Sequence, residues 1–213
     1  MPRPSRNVDA ALLEAGRALY PLTGARGLSV RKVVEHAGAN LGMFHYHFGS
    51  KDAFVRVLLT SMYDAMFAEL TLAAGDPRPG EALRSALLVL ARFVRDHRRA
   101  LRRLMMDALD DEPTALEFVR ANLPRHVRVI LGLVKAGVRS GAFRRLAPMQ
   151  ALAFIGGAIG APVLLGTALT EHAGAPAALR RSFERATLSD RALAERVDLV
   201  LVAVSAPRQG RAR

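Results

Sequence analysis

Residues 29–51 gather Ser29, Arg31, His45, Tyr46, His47 and Lys51, with Leu41, Gly42 and Met43 among them. These are donors and cations with small and apolar residues interleaved. The chemistry they suit is the reading of a polyanion: ammonium, hydroxyl and imidazole groups for phosphate oxygens, and a guanidinium and a phenol for base edges. Catalysis and metal binding are a poor match. His45 and His47 stand two apart, and helical side chains two apart face different ways. The chain has no Cys and its six His are scattered, which excludes thiolate ligands and Cys nucleophiles; no nucleophile–base motif occurs. No cofactor, metal or catalytic residue is expected.

Short helices must hold this set in place. Ser29 is placed to cap one helix, with Leu28 before it and Val33 after it as a hydrophobic staple. Val30, Val33, Val34 and Ala37 then face inward and leave Arg31, Lys32 and Glu35 outside. Gly38 suits the left-handed backbone of a tight turn, and Asn40 is a natural cap for a helix over 41–47. Phe44 and Phe48, four apart, share its buried face. Tyr46 and two His beside Gly42 are left on or near the open face, which is costly as bare surface and makes sense under DNA.

The flanks supply support. Val8, Ala11, Leu12, Ala15 and Leu19 mark a first helix, with Asn7 as its cap and Pro21, Gly24 and Gly27 ending it. Ser50 caps a long fourth helix from Lys51 to about residue 74, carrying Phe54, Leu58, Met62, Met66 and Leu70. Residues 75–80, GDPRPG, form the clearest linker.

Beyond the linker the pattern stays helical. Leu83, Ala86, Leu87, Leu90, Phe93 and Val94 mark a fifth helix. Arg95, Arg98, Arg99, Arg102 and Arg103 recur at helical spacing and read as a solvated face, with a second nucleic-acid patch as the alternative. A sixth helix with Leu104, Met105, Met106 and Leu109 is closed by Asp107, Asp110, Asp111 and Glu112. Pro124 breaks or kinks the helix that follows, Pro148 opens an uncharged one, and 177–186 is basic and weakly helical. Ser189 caps a last helix with Leu193, Val197, Leu201 and Val204 inside. No strand signal appears, so the expected fold is all-α with about nine helices.

The 31 Lys and Arg against 19 Asp and Glu give a net charge of +12, which favours polyanionic partners, although Arg is frequent throughout. Residues 1–7 form a basic arm read as a disordered tail, with Arg3 and Arg6 against phosphates as the alternative. The N-terminus has no apolar h-region, so a cytoplasmic protein is expected. The uncharged stretch 147–170 has the length of a membrane span. Its several Gly, Gln150 and Pro162 suit a protein–protein interface better.

The run from Ser29 to Lys51 resembles the helix-turn-helix of the TetR (tetracycline-repressor-like) family of transcriptional regulators. The matching pieces are Ser29-Val30-Arg31, Ala37-Gly38, His45-Tyr46-His47-Phe48 and Phe48-Gly49-Ser50-Lys51, in the family's order and spacing. Two departures stand out: Val34 replaces the usual small Ala, and His45 stands where the family's Tyr is common, with Tyr46 one position on. A His in that place makes a contact that can depend on pH.

The resemblance implies a three-helix DNA-binding head at 1–52 and a long fourth helix leading into a helical effector-binding and dimerisation body at 53–206. A basic disordered tail at 207–213 completes the chain. The last two long helices, near 148–170 and 189–206, would pair two copies. The function expected is a ligand-responsive, sequence-specific repressor released from a palindromic operator by a small, largely apolar effector. Arg31, Leu41, Gly42, Met43 and Tyr46 are the candidates for base edges, and Ser29, His45, His47 and Lys51 for phosphates. Met62, Met66, Phe93, Met105, Met106, Phe118 and Phe154 are candidates for the effector pocket. The rival readings are a non-specific DNA-compacting protein and, less favoured, a membrane-associated helical protein.

Overall fold

The computed structural model describes residues 8–172 and 174–207. The basic arm at 1–7 and, apart from Pro207, the tail at 207–213 lie outside the described residues. The architecture is all-α, as expected, and the described residues form no strand beyond one antiparallel bridge between Phe143 and Ser205. The helices are α1 (Val8–Gly27), α2 (Val30–His36), α3 (Leu41–Phe48), α4 (Lys51–Ala73), α5 (Pro79–Asp96) and α6 (Arg98–Leu109). They continue with α7 (Pro113–Arg139), α8 (Pro148–Ala161), α9 (Thr167–His172), α10 (Ala177–Leu188) and α11 (Asp190–Val204). A π-helical turn, Pro162–Gly166, joins α8 to α9 in one rod that carries no charge before Glu171. Pro162 has no N–H to give to the ladder, and the turn re-registers the helix around that gap.

The first helix ends over Pro21, Gly24 and Gly27 as expected: α1 carries Pro21 inside it, kinks at Gly24, with φ 67° and ψ −176°, and stops at Gly27. Pro124 does not break the chain into two helices but lies inside the 27-residue α7. Pro removes one ladder bond, and buried side chains on either side of it, Ala115, Ile130 and Val134, keep the helix running.

The chain divides into two compact units, one of Met1–Ala65 with Arg99–Leu123, the other of Met66–Arg98 with Pro124–Arg213. In the first, α1, α2 and α3 close over Leu12, Tyr20, Leu28, Val33, Phe44, Phe54 and Leu58, joined by Ala100, Leu104 and Ala115 from the later segment. In the second, α11 buries Leu193, Val197, Val200 and Val204 and packs on α5 and α8. A forked ion pair between Arg84 and Asp198, with contacts of 2.7 and 3.3 Å, ties α5 to α11.

The rod at Pro148–Glu171 contains an 18-residue apolar window of mean hydropathy 1.9, of which only 22% is buried within the chain. It is long and apolar enough to cross a membrane by length and composition. Met149, Phe154, Leu165 and Leu169 are exposed along it, as are Leu199 and Val202 on α11.

Candidate DNA-binding site

The helix-turn-helix is assembled by its caps. Ser29 Oγ accepts from the backbone N–H of Lys32 at 3.4 Å, and Asn40 Oδ1 from that of Met43 at 2.9 Å. Each satisfies a donor that would otherwise be orphaned at a helix start. Between α2 and α3 the chain reverses through Gly38 at φ 61°. Val33 and Val34 seat α2, and Phe44, 0% exposed, seats α3. The ring of Phe44 lies 5.6 Å from Phe48 and 5.2 Å from Phe54, and the last two rings are 4.9 Å apart, edge to face. This cluster sets the rotation of α3 and so decides what it shows.

It shows Leu41, 43% exposed, and Tyr46, 77% exposed, with Gly42 and His45 also open and Met43 and His47 half-buried. Arg31 is exposed at the start of α2 and has no partner among the described residues. The predicted residues thus lie on two consecutive short helices of one unit. Three of them also have partners within the chain. Ser29 caps α2, leaving its O–H to donate. His45 Nδ1 lies 2.8 Å from Gly49 O. Lys51 Nζ donates to Arg26 O at 3.1 Å, so the ammonium holds the carboxyl end of α1 and keeps further N–H groups for a phosphate. His47 turns Nε2 inward, buried and without a partner.

The expected effector residues are divided between the units. Met62, Met105, Met106 and Phe118 belong to the first, Met66, Phe93 and Phe154 to the second. Met62 and Phe118 pack against the first unit's core, and Phe118 meets Tyr63 edge to face at 6.0 Å. Met105, Met106 and Phe154 are exposed, and Met66 is buried.

One group that sequence reasoning passed over holds the first unit together. Asp107, taken as one of an acidic run, is 1% exposed. Its carboxylate accepts from Tyr20 Oη at 3.1 Å, the backbone N–H of Ala25 at 2.9 Å and the Arg103 guanidinium at 2.6 Å. Burial, then the Asp107 charge and hydrogen bond, push the Tyr20 phenol well above its ordinary value. The one signal in the sequence was Arg103 four residues before Asp107 on a helix. No group of three or more His, Cys, Asp or Glu able to hold a metal occurs among the described residues.

Three helices with a capped, two-turn third helix presented outward make a helix-turn-helix head. Residues 12–58 match the family described as bacterial regulatory proteins, tetR family. The HTH-type transcriptional regulator RutR of Escherichia coli (strain K12) is 26% identical over 149 residues, covering 68% of this chain and 69% of RutR. Among solved structures, the TetR family transcriptional regulator PfmR from Thermus thermophilus aligns with a TM-score of 0.68 at 20% identity. That alignment covers 98% of this chain and all of PfmR. The ketosteroid transcriptional regulator KstR2 of Mycobacterium tuberculosis gives 0.67 at 19% identity, over 97% of this chain and 98% of KstR2. At these identities the solved structures establish the shared fold. The family match covers the helix-turn-helix head, and the similarity to RutR extends over 68% of the chain.

Proposed function

We propose that the protein is a homodimeric, effector-responsive repressor that works in the cytoplasm and reads a palindromic operator through two copies of α3. The observation that carries this reading is the exposure of Tyr46 on a helix of eight residues whose opposite side chain, Phe44, is wholly buried. Leaving a phenol exposed on a short helix, with Leu41 exposed at its start, is unfavourable unless a partner covers them, and a major groove admits a helix of this size. Arg31, Leu41, Gly42, Met43 and Tyr46 are assigned to base edges, and Ser29, His45, His47 and Lys51 to phosphates.

Pairing of two copies is supported by the rod of α8 and α9, whose apolar face has little cover within the chain, and by Leu199 and Val202 on α11. An apolar effector suits the Met66, Phe93 and Phe154 side chains of the second unit. A relative of the same fold, KstR2, is described as a ketosteroid regulator, which agrees with an apolar class. The effector acts by binding one of two states better.

The test is a mobility-shift competition. The DNA upstream of the protein's own gene should bind in strong preference to random duplex at the same salt concentration. Equal binding would favour a non-specific DNA-compacting protein and sink the repressor reading.

A further inference from the structure

Gly49 O, the carbonyl facing His45, can only accept a hydrogen bond, so the 2.8 Å contact with His45 Nδ1 requires a proton on Nδ1. That fixes what the other nitrogen can offer. In a neutral imidazole carrying its proton on Nδ1, Nε2 has only a lone pair, which repels a phosphate oxygen. In the imidazolium, Nε2 carries an N–H and the ring carries a positive charge. The ring is exposed, packs edge-on against Phe44 at 5.6 Å and makes no other hydrogen bond among the described residues.

We propose that His45 is a proton-gated DNA contact: protonated, it donates Nε2–H to a backbone phosphate, and neutral, it turns an acceptor toward that phosphate and loosens the complex. This rests on the reading that α3 lies on DNA. His47 does not duplicate the device, because its Nε2 is buried inside the unit and only its Nδ1 edge remains for an outside partner. The charged and titratable groups on the elements around His45 are Tyr46 and His47 on α3, Arg31, Lys32, Glu35 and His36 on α2, Arg26 at the end of α1, and Lys51 and Asp52 at the start of α4. Bases outnumber acids there, which suits a phosphate at the same place. The device makes operator occupancy rise as the surroundings acidify.

The experiment measures binding of the full chain by fluorescence anisotropy, on random duplex and on the duplex upstream of its own gene, from about pH 5.5 to about pH 8, where imidazoles change charge. Both duplexes serve because a phosphate contact is independent of sequence. The expected result is a fall in affinity of about tenfold for each His45 as pH rises, with the salt slope shrinking by about one unit for each phosphate that His45 releases. His45→Tyr donates at every pH and should remove most of the pH dependence while still binding. His36→Gln, an exposed change on α2, should keep it, and thermal melts of each variant at both ends of the range check folding. Wild-type binding that is flat with pH, or a His45→Tyr variant with the full wild-type dependence, overturns the proton gate and leaves the DNA reading standing. Absence of binding at every pH overturns both.

Discussion

Asp107, on α6, accepts a hydrogen bond at 2.9 Å from the backbone N–H of Ala25, at the point where α1 has just bent through Gly24. The carboxylate thereby fastens Arg99–Leu123 to the corner from which the helix-turn-helix starts. Removing it strands the buried Ala25 N–H and Tyr20 hydroxyl and leaves one arm of the partly exposed Arg103 without its partner. Asp107→Ala should cost about 3 kcal/mol or more, and Asp107→Asn, which keeps one acceptor oxygen, less. Urea unfolding of the purified protein measures both; a loss below about 0.5 kcal/mol for Asp107→Ala would show that this contact does not hold the unit.

Tyr20 should make stability sensitive to alkali. Its phenol is raised above the ordinary value by burial and by the Asp107 charge, so the folded state favours the neutral form. The contribution is therefore complete below about pH 10, the ordinary phenol value, and is lost as pH rises further. Tyr20→Phe should cost about 1 kcal/mol near neutral pH, with the gap to wild type closing above about pH 10. A gap that stays constant through that range in pH-dependent unfolding would contradict the assignment.

Two glycines with positive φ should respond differently to alanine. Gly38 (φ 61°) has a φ that costs a Cβ about 1 kcal/mol, and Gly24 combines φ 67° with ψ −176°, a conformation nearly confined to glycine. At Gly38 no atom lies within 4 Å of the new carbon, whereas at Gly24 it would run into the Arg103 guanidinium and the Asp107 carboxylate. Gly38→Ala should lower stability by about 1 kcal/mol, and Gly24→Ala by about 3 kcal/mol or more. Equal losses in thermal unfolding would mean that the corner around Asp107 yields.

What the sequence disclosed, and what it hid, follows from the range of the interactions involved. Ser29, Asn40, Ser50 and Ser189 were legible as caps because capping is local: each precedes an apolar run, and each side chain accepts from a backbone N–H three residues on. The exposed face of α3 was legible for the same reason, since Phe44 fixes it by helical period alone. Pro124 does not break its helix, because a proline's cost is local while the packing that outweighs it is not. Asp107 was invisible among Asp110, Asp111 and Glu112, since its burial depends on a partner 82 residues away. The bond from Lys51 to Arg26 O escaped notice in the same way.

On the DNA face, removing a phosphate-binding group and removing a base-reading group should have separable effects. Lys51→Ala should weaken specific and random duplexes alike and lower the salt slope by about one unit. Part of its effect will appear as destabilisation through the broken bond to Arg26 O, which unfolding measurements subtract. Arg31→Ala or Tyr46→Ala should instead cost about 1–3 kcal/mol on the preferred duplex and little on random DNA. Unchanged affinity in Lys51→Ala would move the DNA surface elsewhere on the head.

The uncovered apolar rod sets the last prediction. With Phe154, Leu165 and Leu169 exposed on it and Leu199 and Val202 exposed on α11, a single copy leaves much apolar area in water, at roughly 25 cal/mol for each Å². Light scattering without detergent should therefore give twice the chain mass. Charged side chains on that surface would stay solvated in a monomer but be desolvated without partners in a dimer. Leu199→Glu combined with Leu169→Glu should shift the equilibrium toward single copies with little change in unfolding of the isolated chain. Operator binding should fall with it, because two linked heads gain from each other's proximity and separate heads do not. A wild-type chain that stays single at micromolar concentration, or one that needs detergent to remain in solution, would count against pairing, and the second result would turn attention to a membrane surface.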